Sequence, residues 1–276
     1  YGWDLYAHQW VQTMPLESLR PLTDKTLSFG LLNDVEQWTL LAPVYKAYTK
    51  DLCGYAERGE KEWRRLLGSF FAEGVNIAVV KNDEGQIEGY AVYRLGAPEI
   101  PVTEFVYTTR RAQRGLLNYF YNHRSQGESI RWNEGLHDTG YRFVPDGKTG
   151  HTTMPYMMAR IVDVETALTT VPVNPEAVMM PITLNIKVTD TLCDWNNGVF
   201  ALSLGESTLP NVKRVSAESV DEIDITIDIG GLTVLLMGAV SAKDLVFEGK
   251  LQGESHWIDY LDMVYPKQNT YINEWW

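Results

Sequence analysis

The chain is poor in the residues from which metal sites, disulfide frameworks and membrane spans are built. It has two cysteines, Cys53 and Cys193, and five histidines, with no Cys-x-x-Cys or His-x-x-x-His spacing, so the sequence predicts no metal site. Its longest uninterrupted apolar run, near residues 232–240, is much too short to span a bilayer, and no signal peptide is visible. These absences predict a cytoplasmic protein.

Positive charge is also in deficit. The 24 lysines and arginines face 36 aspartates and glutamates, which gives a formal net charge of −12. Nucleic acids and anionic membranes attract basic patches, so neither is expected as a partner. A cationic small molecule is compatible with this balance, although an acidic surface that serves solubility is the commoner cause. With 276 residues the chain lies near the size at which one core stops growing, and two domains are expected.

The hydrophobic pattern predicts an α+β protein, and its first part should be a mixed sheet with helices. The predicted elements are, in chain order, a helix at 61–72, strands at 75–81, 87–95 and 101–108, a helix at 109–125 and a strand at 129–132. Asn33 and Glu36 have the spacing of a helix start, which predicts a first turn near Asp34. This turn is predicted to give way to a helix that begins at Pro43 and ends at Gly54, because proline is disfavoured inside a helix. A cluster of Gly, Asp, Pro and Thr at 135–155 predicts a domain boundary.

The second part is predicted to be an antiparallel sheet covered by short helices. Apolar and polar residues alternate at 182–189 and at 223–229, as in half-buried strands. Gly230 and Gly231 should break the second of these strands. Short helices are predicted at 232–238, 241–247 and 256–264.

The chain ends in residues 271–276, which include two adjacent indoles, Trp275 and Trp276. Each indole can bury roughly 150–250 Å² of surface, so this segment is expected to dock onto the protein. Docking would also hold the terminal carboxylate in a partly desolvated place, where burial raises its pKa towards values useful to a base. Two interpretations stay open: a tail that covers an apolar groove, or a tail that delivers a carboxylate.

Basic side chains begin the helix predicted at 109–125. Arg110, Arg111 and Arg114 lie near its start, where backbone N–H groups can hold a phosphate. The acetyl-CoA sites of GNAT acetyltransferases have the pattern Arg/Gln-x-x-Gly-x-Gly/Ala at such a start. Here the only glycine, Gly115, is out of register with that pattern.

Taken together, the chain resembles the C-terminal two-thirds of the enhanced intracellular survival family of bacterial N-acetyltransferases. The resemblance runs from end to end and is carried by Tyr1-Gly2-Trp3, residues 157–164, 224–229, 232–238 and 241–245, and the aromatic C-terminus. It implies the last strand of a preceding GNAT domain at 1–14, a degenerate GNAT-like domain at 15–150, and a sterol-carrier-protein-like domain with a docking tail at 151–276. Acetyl-CoA would bind the preceding domain, none is expected to bind this chain, and the chain alone is expected to be inactive.

The resemblance also implies roles for particular residues. The family's C-terminal carboxylate acts as the base for the attacking amine, a role that falls on Trp276, with Glu274 and Trp275 beside the substrate. The family's general acid is a tyrosine directly after a Phe/Tyr-Gly pair, and Trp3 stands at that position. An indole N–H is too weak an acid to protonate a thiolate, so Tyr1 and Tyr6 are the alternatives. The implied substrates are polyamines in the broad sense, including aminoglycosides.

Two other functions remain open at this stage. The sterol-carrier-like part could bind a lipid or another apolar ligand without catalysis, because fold resemblance alone does not establish a function. The chain could also be a structural scaffold, which predicts a homo-oligomer and no ligand.

Overall fold

The computed structural model describes residues 1–138, 150–205 and 207–274, and these residues form two compact units. The larger unit is His8–Pro155 together with the C-terminal segment that starts at Tyr271, and the smaller unit is Tyr1–Ala7 together with Tyr156–Thr270. This division differs from the prediction, which assigned residues 271–274 to the same domain as the residues just before them. Part of the predicted boundary at 135–155, residues 139–149, lies outside the described residues.

A seven-stranded mixed sheet forms the centre of the larger unit. Its strands are β1 (Asp4–Pro15), β2 (Ser28–Leu32), β3 (Asn76–Lys81), β4 (Ile87–Tyr93), β5 (Glu99–Tyr107), β6 (Ser129–Gly135) and β7 (Gly150–Ala159). They lie in the order β2-β3-β4-β5-β6-β1-β7. Strands β5 and β6 pair in parallel, with Glu99–Val102 against Ser129–Trp132, whereas the β2/β3, β3/β4, β4/β5 and β1/β6 pairs are antiparallel.

Helices cover both faces of this sheet. They are α1 (Trp38–Thr49), α2 (Glu60–Ala72) and α3 (Arg110–Tyr121). In β3, Ile77 and Val79 belong to the core that includes α1 and α2, whereas Ala78 and Val80 belong to the core that includes α3. Successive side chains of a strand point to opposite faces, so a strand covered on both sides has an almost continuous apolar sequence.

The prediction of a helix starting at Pro43 was wrong, because α1 begins at Trp38 and contains Pro43. A 3-10 turn at Val35–Gln37 leads into α1, and Asp34 and Gln37 form a capping box there. The turn is therefore started by side-chain caps on its free N–H groups rather than by the proline ring.

The smaller unit contains a five-stranded sheet and four helices. Its strands are β8 (Ile182–Thr189), β9 (Gly198–Leu204), β10 (Asn211–Val215), β11 (Ile225–Asp228) and β12 (Leu251–Gly253), in the order β10-β9-β8-β11-β12. Its helices are α4 (Val164–Thr170), α5 (Ile229–Leu236), α6 (Ala242–Phe247) and α7 (Ser255–Val264). The predicted α+β class with short covering helices is confirmed, with one correction: β8 and β11 are parallel, so this sheet is mixed.

The end of β11 also differs from the prediction. The strand stops at Asp228, whose carboxylate accepts a hydrogen bond from the Gly231 amide at 2.6 Å, and α5 begins at Ile229. Gly230 and Gly231 therefore lie in the first turn of a buried helix and not in a break between a strand and a later helix. The helix begins before them because Asp228 caps its free N–H groups.

The described residues contain neither a membrane-spanning helix nor a cluster of metal ligands. None of the helices in residues 1–138, 150–205 and 207–274 has the length and apolar composition that a bilayer crossing requires. Within the same ranges, no three His, Cys, Asp or Glu side chains lie close enough together to hold a metal ion.

Candidate functional site

The C-terminal segment, here defined as residues 271–274, is bound into the larger unit by a contact at each residue. The Tyr271 amide donates to the Cys53 carbonyl at 2.9 Å. The buried Gln9 side chain donates to the Ile272 carbonyl at 2.9 Å and to the Asn273 side-chain oxygen at 3.1 Å. All four residues of the segment are buried. The segment is thus part of the folded unit rather than a loose extension.

Two further contacts fix where the segment lies. The Asn273 Nδ2 atom donates to the Thr103 carbonyl at 2.6 Å, directly beyond the residues of β5 that pair with β6. The Tyr271 ring packs against Tyr48 with ring centroids 5.4 Å apart, and burial raises the pKa of its hydroxyl well above the ordinary value. The segment therefore lies beside β5, and its aromatic side chain belongs to the core that includes α1 and α2.

Glu274 ends the segment in a buried ion cluster that we call the Arg58 cluster, formed by Arg58, Glu104, Glu274 and Tyr90. Arg58 donates from Nη2 to Glu104 at 2.6 Å and from Nε to Glu274 at 2.6 Å. The Tyr90 hydroxyl donates to the other Glu104 oxygen at 2.7 Å. The Arg58 and Glu104 side chains are 3% and 4% exposed, so this cluster is almost fully removed from water.

Aromatic rings complete the surroundings of Arg58. Its guanidinium carbon lies 4.2 Å from the centre of the Tyr45 ring and 4.8 Å from that of Trp63, both in the range of cation–π contacts. Burial alone would lower the pKa of Arg58, but the Glu104 carboxylate raises it well above its ordinary value. The guanidinium is thus held charged, next to two carboxylates.

A cleft of about 650 Å³ opens beside this cluster. It is formed by the start and middle of α1, the loop before α2 and the first turn of α2, and Tyr45, Arg58 and Trp63 contribute to its wall. This volume lies in the range of roughly 300–1,000 Å³ that small-molecule pockets have. The same three residues therefore border an open cleft and the buried contacts of Glu274.

The predicted site residues are distributed over both units. Glu274 belongs to the larger unit, whereas Tyr1, Trp3 and Tyr6 belong to the smaller one. Tyr1 is 96% exposed and Trp3 56% exposed, while Tyr6 is buried. Trp275 and Trp276 lie outside the described residues. The structure gives Glu274 a partner that the sequence did not suggest, and the predicted roles of all these residues stay predictions.

Tyr1 is held by a second buried arginine, in a group that we call the Arg160 cluster: Arg160, Asp190 and Asn196. Arg160 donates to the Tyr1 carbonyl and, from Nη2, to both Asp190 oxygens at 2.8 and 2.6 Å. Gly2, the residue after Tyr1, has φ +71° and lies against the same arginine. A Cβ at this position would lie within 2.5 Å of both Arg160 and Ile229, so only glycine fits.

Asp190 is saturated with donors. Besides Arg160 it accepts from the Asn196 side chain at 2.9 Å and from the amides of Leu192 and Cys193 at 2.9 and 3.1 Å. Burial alone would raise the pKa of Asp190, but the hydrogen bonds from Arg160, Asn196 and the two amides lower it well below its ordinary value. The carboxylate is therefore stably ionised.

The start of α3 does not fit the phosphate groups of acetyl-CoA. Arg111 binds Asp83 and Thr26, Arg114 donates to the carbonyls of Leu22 and Thr23, and Arg110 donates to Gln113. These side chains are engaged within the protein, and Thr109 caps the helix by accepting from the Ala112 amide at 3.0 Å.

Gly115 has a packing role instead of a role in phosphate binding. A Cβ at this position would lie 2.7 Å from the Leu27 side chain. The missing side chain therefore allows α3 to pack closely against the segment before β2. This explains why the glycine is out of register with the phosphate-binding pattern.

A buried carboxyl group, Glu134, lies on the α3 side of the same sheet. It accepts a hydrogen bond from Gln12, and burial raises its pKa to about 7. Its Oε1 atom, Gln12 Oε1 and Trp132 Nε1 have no hydrogen-bond partner among the described residues. They border a void of about 10 Å³, the space of a single water.

Sequence reasoning missed Arg58, Glu104, Glu134, Arg160 and Asp190. For the two glutamates a signal was available, because each continues an alternation of buried residues along its strand. Glu104 stands two residues before the buried Val106, and Glu134 follows the buried Ile130 and Trp132 at the same spacing. A charged residue at such a position predicts a buried polar partner.

Comparisons with known proteins agree with this description. Residues 54–161 match the model for an acetyltransferase (GNAT) domain, and residues 164–273 match the model for a sterol carrier protein domain. No curated protein matches the sequence. Three solved structures of similar fold match over all of this chain, which spans about two-thirds of their length.

These three structures illustrate the likeness. A probable N-acyltransferase from Enterococcus faecalis has 22% identity and a TM-score of 0.85, with 68% of its chain covered. A GCN5-related N-acetyltransferase from Anabaena variabilis has 18% identity and a TM-score of 0.81, with 69% covered. Eis1 from Mycobacterium abscessus has 20% identity and a TM-score of 0.68, with 69% covered. The chain thus has a region similar to a GNAT acetyltransferase domain followed by a region similar to a sterol carrier protein domain, and it shares the fold of these three structures.

Proposed function

We propose that the chain is the non-cofactor portion of a GNAT-type N-acetyltransferase that acetylates amines, with its C-terminal carboxylate as the base. The family matches and the fold support the reaction class. The observation that carries the proposal is the burial of residues 271–274 in the larger unit. The last of these residues, Glu274, stands two positions before Trp276 in the sequence. A segment that only frayed into solvent would place no group for chemistry.

A carboxylate has two roles in the proposed reaction. An amine substrate arrives as an ammonium ion and must lose a proton before its nitrogen can attack a carbonyl carbon. A fixed carboxylate attracts the cation and accepts that proton, directly or through a water. The net charge of −12 is compatible with polyamine-like or aminoglycoside substrates.

The cofactor belongs to a different part of this proposal. GNAT enzymes use acetyl-CoA, but the arginines at the start of α3 are engaged in contacts within the protein. We therefore assign acetyl-CoA to a further GNAT domain of the natural protein. In this proposal the present chain contributes the base and part of the amine site and is inactive alone.

A rival function is the binding of an apolar ligand by the sterol-carrier domain. Its structural support is a groove in the smaller unit whose wall includes Met179, Met180 and Met263. The groove has a volume of about 210 Å³, below the roughly 300 Å³ at which small-molecule pockets begin. Acetyl transfer is therefore the better supported function.

The deciding experiment uses the natural full-length protein with and without Trp276. Deletion moves the terminal carboxylate back by one residue, so kcat for acetyl transfer to aminoglycosides and simple polyamines should fall by about 100-fold, as for loss of a general base. The affinity for acetyl-CoA and the thermal stability should not change.

Substitution Trp276→Phe is the matched control. It alters the side chain but leaves the terminal carboxylate in place, so its kcat should stay close to that of the unaltered protein. Turnover that survives the deletion would refute the carboxylate base. Saturable binding of a fluorescent fatty acid by the chain, with no acetyl transfer by the full-length protein, would favour the rival function.

A further inference from the structure

The Arg58 cluster contains more negative charge than its single arginine can neutralise. One guanidinium contacts two carboxylates, those of Glu104 and Glu274, at 2.6 Å each. The Tyr90 hydroxyl already donates to Glu104, so that carboxylate would be well satisfied without the C-terminal segment. Glu274 therefore adds a second buried carboxylate to a pair that was already balanced.

Stability alone gives no reason for this second carboxylate. Desolvating an ion costs several kcal/mol, and a buried ion pair is often no more stable than apolar residues of the same volume. The best-attested use of a buried ionic contact is to select one register among several. Glu274 approaches from a position 216 residues away in sequence, so its contact with Arg58 specifies a long-range register.

The neighbouring contacts favour the same explanation. Gln9 contacts Ile272 and Asn273, and the Thr103 carbonyl accepts from Asn273, so the residues before Glu274 are also held at fixed positions. A slip by one residue would bring Asn273 or the next residue, Trp275, to Arg58 in place of Glu274. Neither of those side chains carries the charge that a buried guanidinium requires.

We propose that Arg58 is the positioning residue for the C-terminal base: it binds Glu274 and thereby sets the register that fixes how far the terminal carboxylate reaches. Glu274 stands two residues before Trp276 in the sequence, so a change in the register of Glu274 would carry the terminal carboxylate with it. This role rests on the proposed function. It assigns to Arg58 no contact with substrate or cofactor.

The first test measures the segment and needs no activity. The 276-residue chain is treated with a carboxypeptidase, and the products are followed by mass spectrometry. In Glu274→Gln, which keeps the shape but loses the charge, the release of residues 271–274 should be about tenfold faster than in the unaltered chain. Arg58→Lys should have the same effect, because lysine cannot reproduce a planar fork that serves two carboxylates.

Arg64→Lys is the matched control for Arg58→Lys. Arg64 contacts Glu36 and Glu60 in the same unit, but its side chain is 40% exposed. Its release rate should equal that of the unaltered chain. Circular dichroism and thermal unfolding of each variant confirm that the protein is folded at the assay temperature, so that faster release reports the segment.

The second test measures turnover in the natural full-length protein. Glu274→Gln and Arg58→Lys should lower kcat by about tenfold to 100-fold, the cost of a misplacement near 1 Å, with the KM for acetyl-CoA unchanged. A residue that only stabilised the fold would not produce this split between kcat and KM in a folded protein.

The outcomes separate the two proposals. Release that stays within twofold in Glu274→Gln overturns the positioning role, whatever the turnover. Faster release with normal kcat in the point variants, while deletion of Trp276 abolishes turnover, also overturns it. Faster release with normal kcat even after deletion of Trp276 refutes the proposed function and leaves Arg58 as the anchor of the segment.

Discussion

Arg58 and Arg160 both place a buried guanidinium against a carboxylate, but the two clusters differ in charge balance. In the Arg160 cluster one arginine meets one carboxylate, Asp190, which also accepts from Asn196 and two backbone amides. In the Arg58 cluster one arginine meets two carboxylates, and Glu104 also accepts from the Tyr90 hydroxyl. The first cluster thus pairs one guanidinium with one carboxylate, whereas in the second two carboxylates share one guanidinium.

The two clusters also differ in how far apart their charged partners lie in the sequence. Asp190 and its side-chain donors lie within a span of 37 residues, from Arg160 to Asn196. The residues of the Arg58 cluster include partners 46 and 216 positions from the arginine. Arg160 also reaches Tyr1, 159 positions away, but through a backbone carbonyl that every residue carries. The Arg58 cluster instead joins the charged side chain of a distant segment, which in our proposal selects the register of that segment. The predictions below test this distinction, from the largest expected effect to the smallest.

The largest effect is expected for Arg58→Met, which removes the only cation that the described contacts give to Glu104 and Glu274. Removal of one partner from a buried ion pair costs about 3–5 kcal/mol of unfolding free energy, because the other charge stays buried. Urea denaturation of the variant and of Arg64→Met provides the comparison. Equal unfolding free energies for the two variants would show that the cluster is not energetically special.

Glu134→Gln should stabilise the protein at alkaline pH. Because burial raises the pKa of Glu134 from 4.5 to about 7, the folded protein keeps a proton that the unfolded chain loses. Stability should therefore fall as the pH rises from about 4.5 to about 7, by up to about 3 kcal/mol at 1.36 kcal/mol per pKa unit. The neutral amide removes this loss, so the variant should exceed the unaltered protein at pH 8 and match it near pH 4.

The exposed Glu84 on the β3–β4 turn offers the matched control, Glu84→Gln. It should give the same pH dependence as the unaltered protein. Unfolding curves that are parallel for all three proteins between pH 4 and pH 8 would contradict a protonated Glu134. The contrast with Asp190 is then direct: hydrogen bonds from Arg160, Asn196 and two backbone amides outweigh burial and lower the pKa of Asp190, whereas burial outweighs the hydrogen bonds to Glu134 and raises its pKa.

Asp190→Asn should destabilise the smaller unit by about 2 kcal/mol, the usual worth of hydrogen bonds to a charged group. The pKa of Asp190 is lowered, so its contribution is present above the unfolded-state value near 3.8 and is lost as the pH falls below it. The destabilisation should therefore shrink in acid. A loss that is the same at pH 7 and pH 3 would mean that the asparagine disturbs packing rather than charge.

The smallest effect is expected for Asn273→Ala, which removes the hydrogen bond to the Thr103 carbonyl. A single hydrogen bond of this kind contributes about 1 kcal/mol. Release of the C-terminal segment by carboxypeptidase should rise less than in Glu274→Gln, because Arg58 still selects the register. A larger increase in the release rate for Asn273→Ala than for Glu274→Gln would show that the Asn273 amide, and not Arg58, selects the register.

The fold could be predicted well from the sequence because its signals are local. Alternation gave the strands, and the helical spacing of Trp63, Leu66 and Leu67 gave α2. The errors arose at the starts of two helices. The turn near Asp34 was predicted, but the helix was placed at Pro43 instead of Trp38, and α5 begins at Ile229, capped by Asp228, instead of after Gly231. A cap changes where an element begins without changing the hydrophobic period.

The site could be predicted only in outline. The two terminal indoles predicted that the C-terminus docks onto the protein, but the contacts that the structure describes are made by residues 271–274. Arg58, which binds Glu274, has no sequence feature that marks it. Its partners Glu104 and Glu274 are distant in sequence, and only the folded sheet brings them together. Pairings of this kind follow from topology, which one sequence without relatives does not determine.

The position of Tyr271 in the core of the larger unit has a consequence for how the protein is made. That core also contains residues from α1, α2 and β3, which leave the ribosome long before Tyr271 does. The larger unit therefore cannot finish folding until translation has passed through the whole of residues 156–270. The core around α1 and α2 is therefore completed only after the residues of the smaller unit have been synthesised.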